Sequence, residues 1–131
     1  MVRDFPPERL WSRPAQLASV GFHLQHITGV IDRLFTYARG EALSSEQRDK
    51  LAQEGSPRES LHSVDDMLDA LDAQVERALT QLRAVRPETL SETRLVGRQQ
   101  LPATMLGLLF HAAEHTQRHV GQMLVTARVQ L

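Results

Sequence analysis

The 131-residue chain contains no cysteine. Disulfides, thiolate nucleophiles and cysteine-based zinc sites are thereby excluded, and any metal must be held by histidine, aspartate or glutamate. Neither sign of charge dominates: 15 Lys and Arg stand against 16 Asp and Glu, for a net charge of −1. The arginines are spread along the chain and form no basic patch of the kind duplex binding requires, so no nucleic-acid partner is expected. No apolar run reaches the ~20 residues of a membrane span. The start, Met1 to Pro7, lacks the apolar core of a signal peptide. No membrane partner and a cytoplasmic location are expected. A convincing strand pair and an internal repeat are also missing.

Helical periodicity is what the chain does contain. Its length suits one domain, residues 1–131, able to bury roughly two-thirds of its unfolded surface. Residues 1–18 carry Pro6, Pro7 and Pro14 and form an irregular lead-in, with one helical turn expected around Glu8–Trp11. From about Ser19 to Arg39 apolar residues recur at Val20, Leu24, Ile27, Ile31, Leu34 and Ala38, the helical period. Ser19 suits the N-cap, and Gly40 the position just past the end. Polar residues 41–60 suit a short helix from Ser44 or Ser45 to about Gln53. The stripe Leu61, Val64, Leu68, Leu71, Val75, Leu79, Leu82 predicts a regular helix from about Ser60 to Val85, ended by Arg86-Pro87. Residues 87–101 form a long connection, briefly extended at Leu95-Val96. Pro102 is expected in the first turn of a last helix that runs to near the C-terminus. The fold class is all-α, with three long helices and one or two short ones in antiparallel packing.

The last helix carries the chemistry. In His111-Ala-Ala-Glu114-His115-Thr116-Gln117-Arg118-His119 three histidines stand at steps of four. Residues four apart lie one above the other on a helix face, and two imidazoles so placed can grip a metal ion. Met105, Leu109, Ala112, Met123 and Ala127 define the core direction. At about 100° per residue, His119 lies roughly 50° from it, His115 roughly 90° and His111 roughly 130°. His115 and His119 therefore sit on the shoulder of the core stripe, facing a cleft that water can reach, while His111 points nearly outside. Thr116 stands where a zincin helix has its glutamate, so the general base of such a protease is missing.

Two ligands seldom suffice, and the first long helix offers His23 and His26. His23 lies nearer the centre of its apolar stripe and His26 on the shoulder. Periodicity slightly favours His23 as the inward residue and leaves the choice open. His62 is expected at the surface, Glu114 toward solvent or a neighbouring helix, and Asp32 in a surface or inter-helix ion pair. Asp65, Asp66, Asp69 and Asp72 suit a solvated helix face. The alternative is a helical interaction module, non-catalytic or metal-free, whose histidines are structural.

Two segments together resemble a known family. Gly21-Phe22-His23-Leu24-Gln25-His26-Ile27-Thr28-Gly29-Val30-Ile31-Asp32-Arg33-Leu34 resembles the second helix of the DinB/YfiT-like metalloenzymes. His111 to Gln122 resembles their last helix, with its His-x-x-x-His-x-Gly-Gln signature. The outline covers about the whole chain, and these two segments are its specific part. The resemblance implies metal ligands at His26, His115 and His119, with His23 at a variable position. Gly121 and Gln122 fall on signature positions, with close helix packing and a hydrogen bond behind the ligands as their roles. It further implies a divalent ion, zinc or nickel foremost and iron also accepted. The expected activity is that of a metal-dependent hydrolase or thiol-dependent transferase. Its substrate would be a small molecule, in some members together with a low-molecular-weight thiol such as mycothiol or bacillithiol.

Three neutral imidazoles leave such an ion its full charge, which lowers the pKa of bound water toward ~7 and holds a thiol as thiolate. Phe22, Tyr37, Phe110 and Trp11 are candidates to shape the cleft, although each also suits the core. No general base is identified. Family members usually carry a full helix before the one bearing His26, whereas here 18 residues precede it. The expectation is an up-and-down four-helix bundle lacking a full first helix, its apolar side covered by a second copy in a homodimer.

Overall fold

The computed structural model describes residues 2–59 and 63–131. Helix α1 (Val20–Ala38) starts at Ser19, whose Oγ accepts the Phe22 N–H, and ends before Gly40, which holds φ +79. The short α2 (Ser45–Ala52) begins with a reciprocal capping box between Ser44 and Gln47. A second capping box, Ser63 with Asp66, opens α3 (Val64–Arg83). The sequence placed that start near Ser60; Ser60, Leu61 and His62 lie outside the described residues.

The expectation of no strand pair is overturned. Thr93–Val96 (β1) pairs antiparallel with Leu101–Thr104 (β2), from Thr93 opposite Thr104 to Val96 opposite Leu101. Pro102 therefore lies in β2, and α4 (Met105–Val129) begins three residues later, capped by the Thr104 side chain on the Gly107 N–H. Gly97 at φ +70 and Gln100 at φ +50 turn the chain back on itself, a backbone signal that hydrophobic periodicity does not register. A proline is tolerated here because a two-stranded ribbon consists of edges only.

Helix α1 is central and packs on both α4 and α3. It runs antiparallel to α4, so His23 meets His119 while His26 meets His115. Two apolar clusters flank these histidines. One contains Ile27, Ile31, Phe35, Ala78, Leu108 and Ala112. The other joins Val20, Leu24, Met67, Met123 and Ala127 to Phe5 and Leu10 of the lead-in. That segment, two 3-10 turns at Pro7–Arg9 and Pro14–Gln16, is thus irregular but not peripheral: Phe5 and Leu10 are each 2% exposed. Full burial of side chains this large contributes roughly 1.5–3 kcal/mol apiece. The chain then crosses α1 closely, with the Gly21 N–H donating to the Leu10 carbonyl at 2.8 Å. Among the described residues no helix is long and apolar enough to cross a membrane.

Candidate metal centre

Helix α1 supplies His26, and two successive turns of α4 supply His115 and His119. Nε2 of His26 lies 3.0 Å from Nε2 of His115. The His119 ring centroid is 4.5 Å from those of both His26 and His115. One ring nitrogen from each of the three falls within 4.8 Å of the others. Phe22 stacks on His26 with centroids 5.1 Å apart and planes 13° from parallel, closing one side.

Each histidine has a different partner behind it. Nδ1 of His26 lies 2.7 Å from Oε2 of Glu54, whose other oxygen accepts from Arg33 Nη1 at 2.7 Å. The Glu54 side chain is only 7% exposed. It is held in the turn after α2 by Gln25, which accepts from the Gly55 N–H and donates to the Ser56 carbonyl, both at 2.8 Å. Gly29 leaves room for this ion pair: a Cβ there would fall 2.5 Å from Arg33 Nη1 and 2.7 Å from Glu54 Oε1. Burial pushes the Glu54 carboxyl up, but hydrogen bonds from His26 and Arg33 outweigh it and hold the group below its ordinary range. An ionised Glu54 accepts the Nδ1–H of His26, which leaves the Nε2 lone pair facing the cluster.

Behind His119 stands His23, with the two Nδ1 atoms 3.1 Å apart. Burial, then the neighbouring His119 and His26, push His23 down to about 4. His115 is likewise pushed down to about 4, by burial first and then by His119, His26, Arg118 and His111. Burial foremost also lowers His119. His23, His115 and His119 are therefore neutral at pH 7, the form in which imidazole binds metal. Nδ1 of His115 accepts from Arg118 Nη2 at 2.6 Å.

A family model for the DinB superfamily matches residues 2–123. The chain belongs to the DinB superfamily. No curated protein matches it.

In this DinB-superfamily chain His115 also belongs to a second grouping, with His111 and Glu114. His111 Nδ1 is 2.6 Å from Glu114 Oε1, their side chains 49% and 41% exposed. These three residues share one face of one helix, with His111 and Glu114 partly open to water, whereas the first grouping joins two helices.

Other candidates fall elsewhere. Gln122 lines a cavity of about 770 Å³ beside His23 and Arg118. Within the chain Gly121 does not serve close helix packing, since a Cβ there would meet nothing within 4 Å among the described residues. Phe110 shapes neither cleft nor core and is 70% exposed. Trp11 packs against the cluster that includes the lead-in, and Tyr37 against the other. Asp32 forms no ion pair among the described residues: its Oδ2 accepts from Gln47 at 2.9 Å, and Arg33 pairs with Glu54 instead. Asp65, Asp69 and Asp72 are exposed, as a solvated face requires. Sequence reasoning missed Glu54, because a carboxylate in a polar turn carries no periodic signal. Arg33, two turns after His26 in an apolar helix, was the available hint that a buried anion lies nearby.

Proposed function

We propose that this chain binds a divalent metal ion through His26, His115 and His119, and that the loaded centre acts on a small molecule as a hydrolase or thiol-dependent transferase. What supports the reading is the convergence of three imidazoles from two helices, with ring nitrogens within 4.8 Å of one another. Two of them are turned by partners that can accept an Nδ1 proton, Glu54 and His23. Carboxylate or other acceptors behind histidine ligands fix the tautomer and strengthen the ligand. Imidazole suits zinc and nickel, and also iron and copper; we assign zinc or nickel. When bound, the ion supplies a Lewis acid that lowers the pKa of a coordinated water or thiol near neutral pH.

The competing metal-free reading has one observation in its favour. Arg118 to His115, His115 to His26 and His26 to Glu54 form a chain of hydrogen bonds that is complete without an ion. Elemental analysis and zinc titration of purified protein separate the two. The expected result is one ion per chain, lost in His115→Ala and His119→Ala; wild-type protein that takes up no ion refutes the proposal. Turnover of a thiol with an electrophile, against hydrolysis of an ester or amide, distinguishes the two reaction classes from simple binding.

We also propose that the chain forms a homodimer through α4. Leu106, Phe110, Val125 and Val129 are each more than half exposed, and Ala113, Gln117 and Gly121 lie exposed between them. The order is large, large, small, polar, small, large, large, symmetric about Gln117. An antiparallel second copy would set Phe110 against Val125 and Leu106 against Val129, the self-complementarity that a two-fold interface demands.

A further inference from the structure

The contact between Arg118 and His115 excludes a metal at His115. A guanidinium carries only donors, so His115 Nδ1 must give its lone pair to Nη2 at 2.6 Å. A neutral imidazole has one such lone pair. An ion taking Nδ1 would displace Arg118 outright. An ion taking Nε2 would leave the ring proton on Nδ1, where it faces the guanidinium donor to donor, and Arg118 is displaced again. The released side chain has somewhere to go. Arg118 stands on the wall of the cavity of about 770 Å³ that reaches His23, with Gln122 and Thr126 as polar neighbours and Leu17 and Ala18 as apolar ones.

We infer that Arg118 is the anion-recognition residue of this cavity, locked on His115 while the histidine cluster is empty and freed by metal to hold the carboxylate or phosphate of a ligand. The inference rests on the three-histidine metal reading above. Arginine suits the task because its planar fork matches both oxyanions in two-point contact. The apolar part of the ligand would lie against Leu17 and Ala18, which lie outside α4. Glu114, four residues earlier on the same wall, is the internal rival for the freed guanidinium, and His111 already engages it at 2.6 Å. Metal and anion are then coupled through one side chain, so each must tighten the other by the same factor.

Zinc affinity measured against a chromogenic chelator tests this in wild type, Arg118→Ala and Glu114→Gln, with and without benzoate or phenyl phosphate at constant ionic strength. Arg118 is exposed, so its truncation leaves the fold intact. Without an anion, Arg118→Ala should bind zinc about fivefold more tightly than wild type, since nothing competes for His115. An anion should tighten zinc by a similar factor in wild type, more in Glu114→Gln, and not at all in Arg118→Ala. The arm with the larger effect identifies carboxylate or phosphate as the recognised group. Zinc binding that is equal in wild type and Arg118→Ala and indifferent to both anions overturns the inference alone. A wild type that binds no zinc overturns the metal reading and this inference with it.

Discussion

Glu54 lies 28 residues after His26 in sequence, yet its Oε2 sits 2.7 Å from the imidazole Nδ1. The same carboxylate is pinned on its other oxygen by Arg33 at 2.7 Å. Removing the carboxylate frees the His26 ring to turn and withdraws the charge that makes Nε2 a better donor to metal. Glu54→Ala should weaken zinc binding about 10–100-fold, and Glu54→Gln by less, because an amide oxygen still accepts the Nδ1–H. Competition titration gives the affinity, and the visible spectrum of the cobalt-substituted protein reports whether the ligand set has changed. Equal affinity in all three proteins would show that Glu54 is a structural ion-pair partner only.

Gly29 and Gly121 make opposite predictions. A Cβ at Gly29 collides with the Arg33–Glu54 pair, whereas one at Gly121 meets nothing within 4 Å. Gly29→Ala should therefore destabilise by about 1–3 kcal/mol, the usual cost of forcing atoms into a packed site, and should weaken zinc binding along with it. Gly121→Ala, inside α4, should stabilise by about 0.5–1 kcal/mol from helix propensity alone. Urea unfolding of the two variants beside wild type measures both. A neutral Gly29→Ala would mean that the ion pair can move aside at no cost.

The helices were legible because their signals are local. Ser19, Gly40 and Ser44 mark boundaries through single side chains or one φ angle, and the stripe of α3 repeats for five turns. The angular placement of His115 and His119 was legible too, since it follows from the helical pitch. What escaped depends on distant partners. His23 and His26 stand three residues apart on one helix, and only the pairing with α4 puts His26 beside His115 and His23 behind His119. The hairpin depends on Gly97 and Gln100 adopting left-handed angles, while Phe5 and Leu10 look like parts of a proline-rich tail until Met67 and Met123 close over them.

Acid should loosen the metal-free protein over a defined range. His23 and His115 are pushed from 6.5 down to about 4 by burial and by neighbouring histidines. Between those values the unfolded chain binds protons that the folded chain refuses. Stability is thus complete above about pH 6.5 and falls as pH drops toward 4. Thermal melts of chelator-treated protein should show a Tm that is flat between pH 8 and 7 and declines below 6.5. His23→Leu, which removes one of the refusing groups, should flatten that decline. An unchanged slope in the variant would mean that His23 takes up its proton in the folded state as readily as in water.

The exposed stripe of α4 yields the last expectation. Phe110 is 70% exposed in the single chain, so replacing it by glutamate should cost the monomer little, within about 0.5 kcal/mol for a surface site. In a two-fold dimer the same change acts twice, placing two carboxylates opposite the Val125 side chains at the cost of their desolvation. Phe110→Glu should therefore sediment as a monomer at concentrations where wild type sediments as a dimer, with unchanged helical content. Gln117→Glu, at the centre of symmetry, brings two like charges together and should weaken the dimer without abolishing apolar contact at either end. Wild-type protein that stays monomeric at tens of micromolar would rule out the α4 interface, and the metal-site predictions would stand unaffected because every ligand and its partner lies within one chain.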